Sequence, residues 1–299
     1  MTPSASPVLA GARPSGPALL RLVRAELMKI RATRSWRLLP AGFAVFTVLA
    51  LIVNGFSHHY QLYPQRDLAD RAQALAQAAQ ARTPAGAAGV AASMLTSGQV
   101  LSVLVPMLLG ILLVTSEFAQ HTATATFLAE PRRGRVMLAK VAAAACCAAL
   151  LWLAATLASG VVTPVFLHTQ HVSAPLAGWA VARPVLMGLT AFVLWAAFGA
   201  GLGAIVRGQA ASVGLGLGLY AGGFAVAQLV SQLIYHYYPH GWVLALAVTA
   251  PAAATDVMLA PGRAFPHAPP AWAGLAVLAG YAVALAVAGT LLTSRRDAA

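Results

Sequence analysis

Six apolar runs, at residues 38–56, 97–116, 136–162, 184–206, 211–235 and 272–293, dominate the chain, and each is nearly free of charge. About 20 such residues in a helix cross the roughly 30 Å of hydrocarbon in a bilayer. A helix also satisfies its own backbone groups, which lipid cannot do. The expected fold is an all-α membrane protein with a six-helix transmembrane domain over 38–294. Composition agrees: 9% of the residues are charged, where a water-covered domain carries roughly 25%. Pro106 falls inside the second run, where neighbouring groups in a bundle can satisfy the carbonyl it frees.

The basic residues set the expected topology. The net charge of +12 would suggest a nucleic-acid partner in a soluble protein, but here the arginines flank apolar runs, so no nucleic acid is expected. With the N-terminus inside and six spans, 14 of the 19 basic residues fall in inner segments: Arg13, Arg21, Arg24, Lys29, Arg31, Arg34, Arg37, Arg132, Arg133, Arg135, Lys140, Arg207, Arg295 and Arg296. Arg66, Arg71, Arg82, Arg183 and Arg263 fall outside. This distribution follows the positive-inside rule, with both termini cytoplasmic. Residues 208–255 carry no charge and are too long for one span. A seventh span would export Arg295 and Arg296, so residues 242–259, with Pro251 and Asp256, are expected to form a re-entrant element on the outer side.

The remaining segments have distinct characters. Residues 1–17 read as a disordered arm. Residues 57–96 read as a long external loop carrying a short helix around Leu68 and Leu75. Seven histidines (His58, His59, His168, His171, His236, His240 and His267) fall on the outer side without carboxylates; they read as rim residues, and no metal is expected. Cys146 and Cys147, adjacent in an apolar run, read as small packing residues.

Two inner segments suit a partner. Residues 18–37 place Leu20, Val23, Leu27 and Ile30 on one stripe and Arg21, Arg24, Glu26, Lys29 and Arg31 elsewhere, followed by Arg34 and Trp36. That pattern describes an N-terminal amphipathic helix lying in the membrane interface. Residues 117–135 begin with Glu117 and Phe118 at the end of a span, continue through His121, Thr122, Thr124, Thr126 and Phe127, and end in Arg132, Arg133 and Arg135 after Pro131. Such a polar loop suits docking to a soluble protein. In spans four and five, Gly199 and Gly203, then Gly214, Gly218 and Gly222, recur every four residues. Such stripes allow close helix approach, either within the chain or between two copies.

Together, T-R-S-W at the end of the first helix, S-E-F…T-F-L-A…P-R-R-G-R…A-K in the first inner loop, and R-G-Q-A after span four resemble a bacterial ABC-2 type permease. The resemblance spans residues 19–296. It implies the membrane subunit of a type V-like ABC exporter in the bacterial cell membrane. Residues 18–37 would then be a connecting helix, and 117–131 would carry a coupling helix against an ATP-binding subunit. A permease homodimer or heterodimer is implied as well. The chain itself lacks a phosphate-cradling loop, because neither Lys29 nor Lys140 follows a glycine. ATP and Mg are therefore expected on the partner, with no cofactor here and no catalytic constellation. The alternative is a secondary transporter or channel without an ATPase. Its expected ion-coupling carboxylate is not evident, since no acidic residue falls inside one of the six runs.

Overall fold

The computed structural model describes residues 18–32, 35–64, 71–120, 132–174, 176–260 and 268–296. These residues form helices and turns, with no strand among them. The N-terminal helix α1 (Ala18–Ala32) precedes α2 (Ser35–Leu62), α3 (Arg71–Ala81), α4 (Pro84–Leu95), α5 (Gln99–Ser102) and α6 (Leu104–Ala119). Two long helices follow, α7 (Arg133–Thr169) and α8 (Trp179–Val206). The fifth span is α9 (Gln209–Leu217), a π-turn (Gly218–Gly222) and α10 (Gly223–Tyr237). After it come α11 (Gly241–Ala245), a 3-10 turn (Leu246–Thr249), α12 (Pro251–Leu259) and α13 (Ala271–Arg296). Among the described residues, six helical segments are long and apolar enough to span a membrane: Arg37–Leu62, Pro84–Ala119, Arg133–Thr169, Trp179–Val206, Gln209–Tyr237 and Ala271–Thr293. The protein is therefore a multi-pass membrane protein. The ends of α6 and α13 and the start of α7 gather beside α1, and this end of the bundle is termed proximal.

The second span differs most from the sequence expectation. It begins at Pro84, so α4 lies in the bundle instead of in a loop over 57–96. Thr83 caps α4, its Oγ1 accepting from the Gly86 N–H at 3.2 Å, and Pro84 takes the first helical position, where its missing N–H costs nothing. The segment is rich in alanine and glycine, which reads weakly as apolar, yet Ala87, Ala88 and Ala91 are buried. The span then breaks at Gly98, which adopts a left-handed φ of 68°. Asn54 on α2 donates to the Ser93 carbonyl at 3.0 Å and to Ser97 Oγ at 2.8 Å. Tyr220 on the π-turn donates to the Val100 carbonyl at 2.6 Å. These side chains make the break tolerable at membrane depth. Because α6 restarts at Leu104, Pro106 sits in its first turn and removes no interior hydrogen bond.

Helix α8 is the hub, packing on α4, α6, α7, α12 and α13. Its Phe192, Trp195 and Phe198 are the bulkiest of the fully buried side chains among the described residues. Small residues bring backbones into contact around them. A Cβ at Gly110 would strike the Ala196 carbonyl on α8, one at Gly199 the Met107 carbonyl on α6, and one at Gly201 the backbone of Leu285 on α13. Gly199 and Gly203 therefore pack within the chain. Gly214, Gly218 and Gly222 face open space.

Between the fifth and sixth spans, the pair 241–249 and 251–259 is bent by 111°. Ala250 is extended, and Pro251 starts α12 at a position that needs no N–H donor. Every residue of α12 except Asp256 is buried.

Candidate functional site at the proximal end

Four ionised side chains from three helices form a closed ring at the proximal end. Lys29 Nζ on α1 donates to Glu26 Oε1 at 2.9 Å, one helical turn away, and to Glu117 Oε1 at 2.6 Å on α6. Lys140 Nζ on α7 donates to Glu26 Oε2 at 2.9 Å and lies 2.8 Å from Glu117 Oε1. Charges alternate around the ring, so each carboxylate meets both lysines and each lysine both carboxylates. The chain has two lysines and three glutamates in all; Glu130 lies outside the described residues.

Helical periodicity builds this arrangement. On α1 the inward face carries Val23, Glu26, Leu27 and Ile30, while Arg21, Arg24, Met28 and Arg31 are exposed. Leu20, which the sequence places on the apolar stripe, is exposed, and Glu26 occupies the inward face. Ile30, Val23 and Leu27 pack against the main core cluster and hold α1 on α7. Glu26, Glu117 and Lys140 are buried, whereas Lys29 is 45% exposed at its side chain. Burial alone would push the Lys29 ammonium down, but hydrogen bonds to Glu117 and Glu26 and their negative charges outweigh this and hold it above the ordinary lysine range. The buried members depend on one another: removing one of them leaves a desolvated charge without its counter-ion.

Further contacts gather around the ring. Phe118, next to Glu117, supports the Arg207 guanidinium at 4.9 Å from its ring centroid. Arg207 closes α8 in a left-handed conformation (φ 60°), and Gly208 follows, so the R-G-Q-A turn sits against the end of α6. Arg133 Nη1 donates to the Thr293 carbonyl at 2.7 Å, where the last turn of α13 leaves carbonyls without helical partners. A cleft of about 380 Å³, counting its open mouth, lies among these groups, lined by Glu117, Phe118, Arg133, Lys140, Thr290 and Thr293 and by apolar side chains of α6, α7 and α8.

The structure thus brings together Glu26 and Lys29, read from the first helix, and Glu117, Phe118 and Arg133, read from the loop. Arg132 and Arg135 lie exposed at the start of α7. His121, Thr122, Thr124, Thr126, Phe127 and Arg34 lie outside the described residues, as does the side chain of Trp36. Lys140 and Arg207, which the sequence reading uses only for topology and for the R-G-Q-A resemblance, are part of the site. The available signal for Lys140 was its rarity, since 17 of the 19 basic residues are arginines. Pro251 and Asp256 lie elsewhere, on α12.

The carboxylate placement also bears on the rival reading. Thr255, beside Asp256, accepts from Trp195 Nε1 at 2.9 Å. Trp195 stands roughly 24 Å from the start of α8 and roughly 17 Å from its end at 1.5 Å per residue. Ala254 meets Gly274, one turn into α13. Asp256 is therefore held beside the middle of α8 and the first turns of α13, although it lies in none of the six apolar runs. No protein-family model and no curated protein matches the chain.

Proposed function

We propose that this chain is the membrane-spanning subunit of an ATP-driven exporter of the ABC-2 type, coupled to a separate ATP-binding subunit. The observation that carries the reading is the Glu26–Lys29–Glu117–Lys140 ring. It fastens α1 to the two helix ends between which residues 117–135 run, so a push on that loop reaches α1, α6 and α7 together. The ring itself performs no hydrolysis; its chemistry is mechanical fastening by desolvated, mutually satisfied charges. In this reading the proximal end is cytoplasmic, as the arginine distribution expects. Helix α1 lies in the inner interface of a bacterial cell membrane, and residues 242–259 enter from outside and return. ATP and Mg bind the partner, and two permeases associate through the open Gly214, Gly218 and Gly222 face.

The direct test is Glu117→Lys, which places a third ammonium against Lys29 and Lys140. The variant is expected to be destabilised like the other ring variants, so transport is compared per folded complex: insertion and ATP hydrolysis persist while transport in proteoliposomes falls. Undiminished transport in that variant would remove Glu117 from the coupling path.

One observation favours a second reading. Asp256, at depth in the bundle, is the kind of intramembrane carboxylate that ion-driven carriers use. Transport by the purified chain under a proton gradient, with no nucleotide-binding partner, would select that reading.

A further inference from the structure

We propose that Asp256 is the counter-ion for a positively charged, largely apolar organic cargo, an assignment that rests on reading the chain as a transport permease. Asp256 is the single residue of α12 that is not buried, and α12 is otherwise wholly apolar apart from Thr255. Its backbone carbonyl accepts from the Ala260 N–H at 2.8 Å, but its carboxylate makes no hydrogen bond or ion pair among the described residues. The elements packed on α12 supply no cation to it. Helix α5 has no ionisable residue, the π-turn offers Tyr220, and α13 offers Tyr281, about two turns beyond its contact with α12 at Gly274, with Arg295 and Arg296 at its far end. Arg183 on α8 and His236 on α10 lie near the distal ends of their helices, as do Tyr235 and Tyr237. A carboxylate at such depth is costly unless something neutralises it.

The surroundings specify what kind of cation fits. The π-turn that carries Tyr220 packs on α12. Tyr220 packs on Trp195 with ring centroids 5.4 Å apart, and Trp195 is tied to Thr255. Both rings are buried, so they back Thr255 as an apolar wall, and α12 around the carboxylate is apolar, which suits an organic cation better than a strongly hydrated inorganic one. A bare metal ion requires six or more oxygen ligands in the usual hard-cation sites, and no group of three His, Cys, Asp or Glu side chains converges among the described residues. Three backbone irregularities also meet here: the break before α5, the π-turn, and the bend at Ala250. Irregular backbone at this depth is tolerated where it is covered by protein or lines a cavity, and the Asp256 side chain retains access to its surroundings.

Tetraphenylphosphonium, a permanent apolar cation, is the probe, titrated against the purified chain in lipid nanodiscs with tetraphenylborate as the opposite-charge control. Saturable binding of the cation alone is expected, weakened about ten-fold or more by Asp256→Asn and largely retained by Asp256→Glu. A measurement on the unsubstituted protein guards against misfolding of the variant: tetraphenylphosphonium should slow carbodiimide modification of Asp256. Equal affinity in a folded Asp256→Asn variant, or modification of Asp256 that the cation does not slow, would overturn the assignment. The assay needs neither ATP nor a partner, so its outcome is separable from that of the ATP-driven reading.

Discussion

Lys140→Met is expected to destabilise the bundle by about 3–5 kcal/mol, because it takes from the buried Glu26 and Glu117 the buried ammonium that faces both carboxylates. Chemical or thermal unfolding of the purified protein in detergent measures the loss. The geometry makes a second, sharper demand. An isolated Glu117–Lys140 pair would be rescued by exchanging the two charges. In a closed ring it is not: Glu117→Lys with Lys140→Glu would set lysine 29 against a new lysine and Glu26 against a new glutamate. The double variant is therefore expected to be no more stable than Lys140→Met. Near-normal stability of the exchanged protein would show that the pair acts alone and that α1 is not part of the unit.

Gly199→Leu is expected to abolish accumulation of folded protein, whereas Gly218→Leu should leave each chain folded and weaken self-association. The two glycines share a sequence pattern but not an environment. At Gly199 a side chain would have to enter the backbone of α6 at Met107, and α6 cannot retreat without unseating the reciprocal contact of Gly110 on Ala196. Overpacking of this kind ordinarily costs about 1–3 kcal/mol in a core that relaxes, and a backbone obstacle relaxes less than a side chain. At Gly218 a side chain meets nothing within the chain. Membrane yield with size-exclusion profiles, and disulfide trapping between cysteines placed at Gly214 in two copies, read out the two effects. Unaltered self-association of Gly218→Leu would assign that face to lipid.

Much of the architecture was legible because lipid imposes a simple rule. Charge is excluded from spans, so the six apolar runs mark the six long helices to within a few turns, and the open arginine-rich segments mark the proximal end. The second span was legible only in part. Its distal portion is built from Ala87, Ala88, Gly89 and Ala91, residues that bury little apolar surface each and look like a loop beside Pro84, yet they allow close packing. The site was legible as two separate segments. Glu26 and Lys29 are one turn apart and suggested a helix surface, and Glu117 sat at a span end. Their convergence depends on α1 folding back onto α7, a long-range contact that periodicity does not encode. Lys140 was misleading for a specific reason: a lysine one or two turns inside a span reads as a snorkelling anchor, when its ammonium instead turns inward to two carboxylates. A compact ammonium with three donors suits a two-carboxylate corner, where a planar guanidinium would favour a single bidentate partner.

The most direct measurement is photo-crosslinking from the exposed Arg132 position in native membranes, followed by purification of the product and assay of its ATP hydrolysis. The account predicts a crosslink to a soluble ATP-binding polypeptide and ATPase activity in the purified complex. A chain that crosslinks to no such polypeptide, purifies without ATPase activity, and still transports under an ion gradient would contradict it.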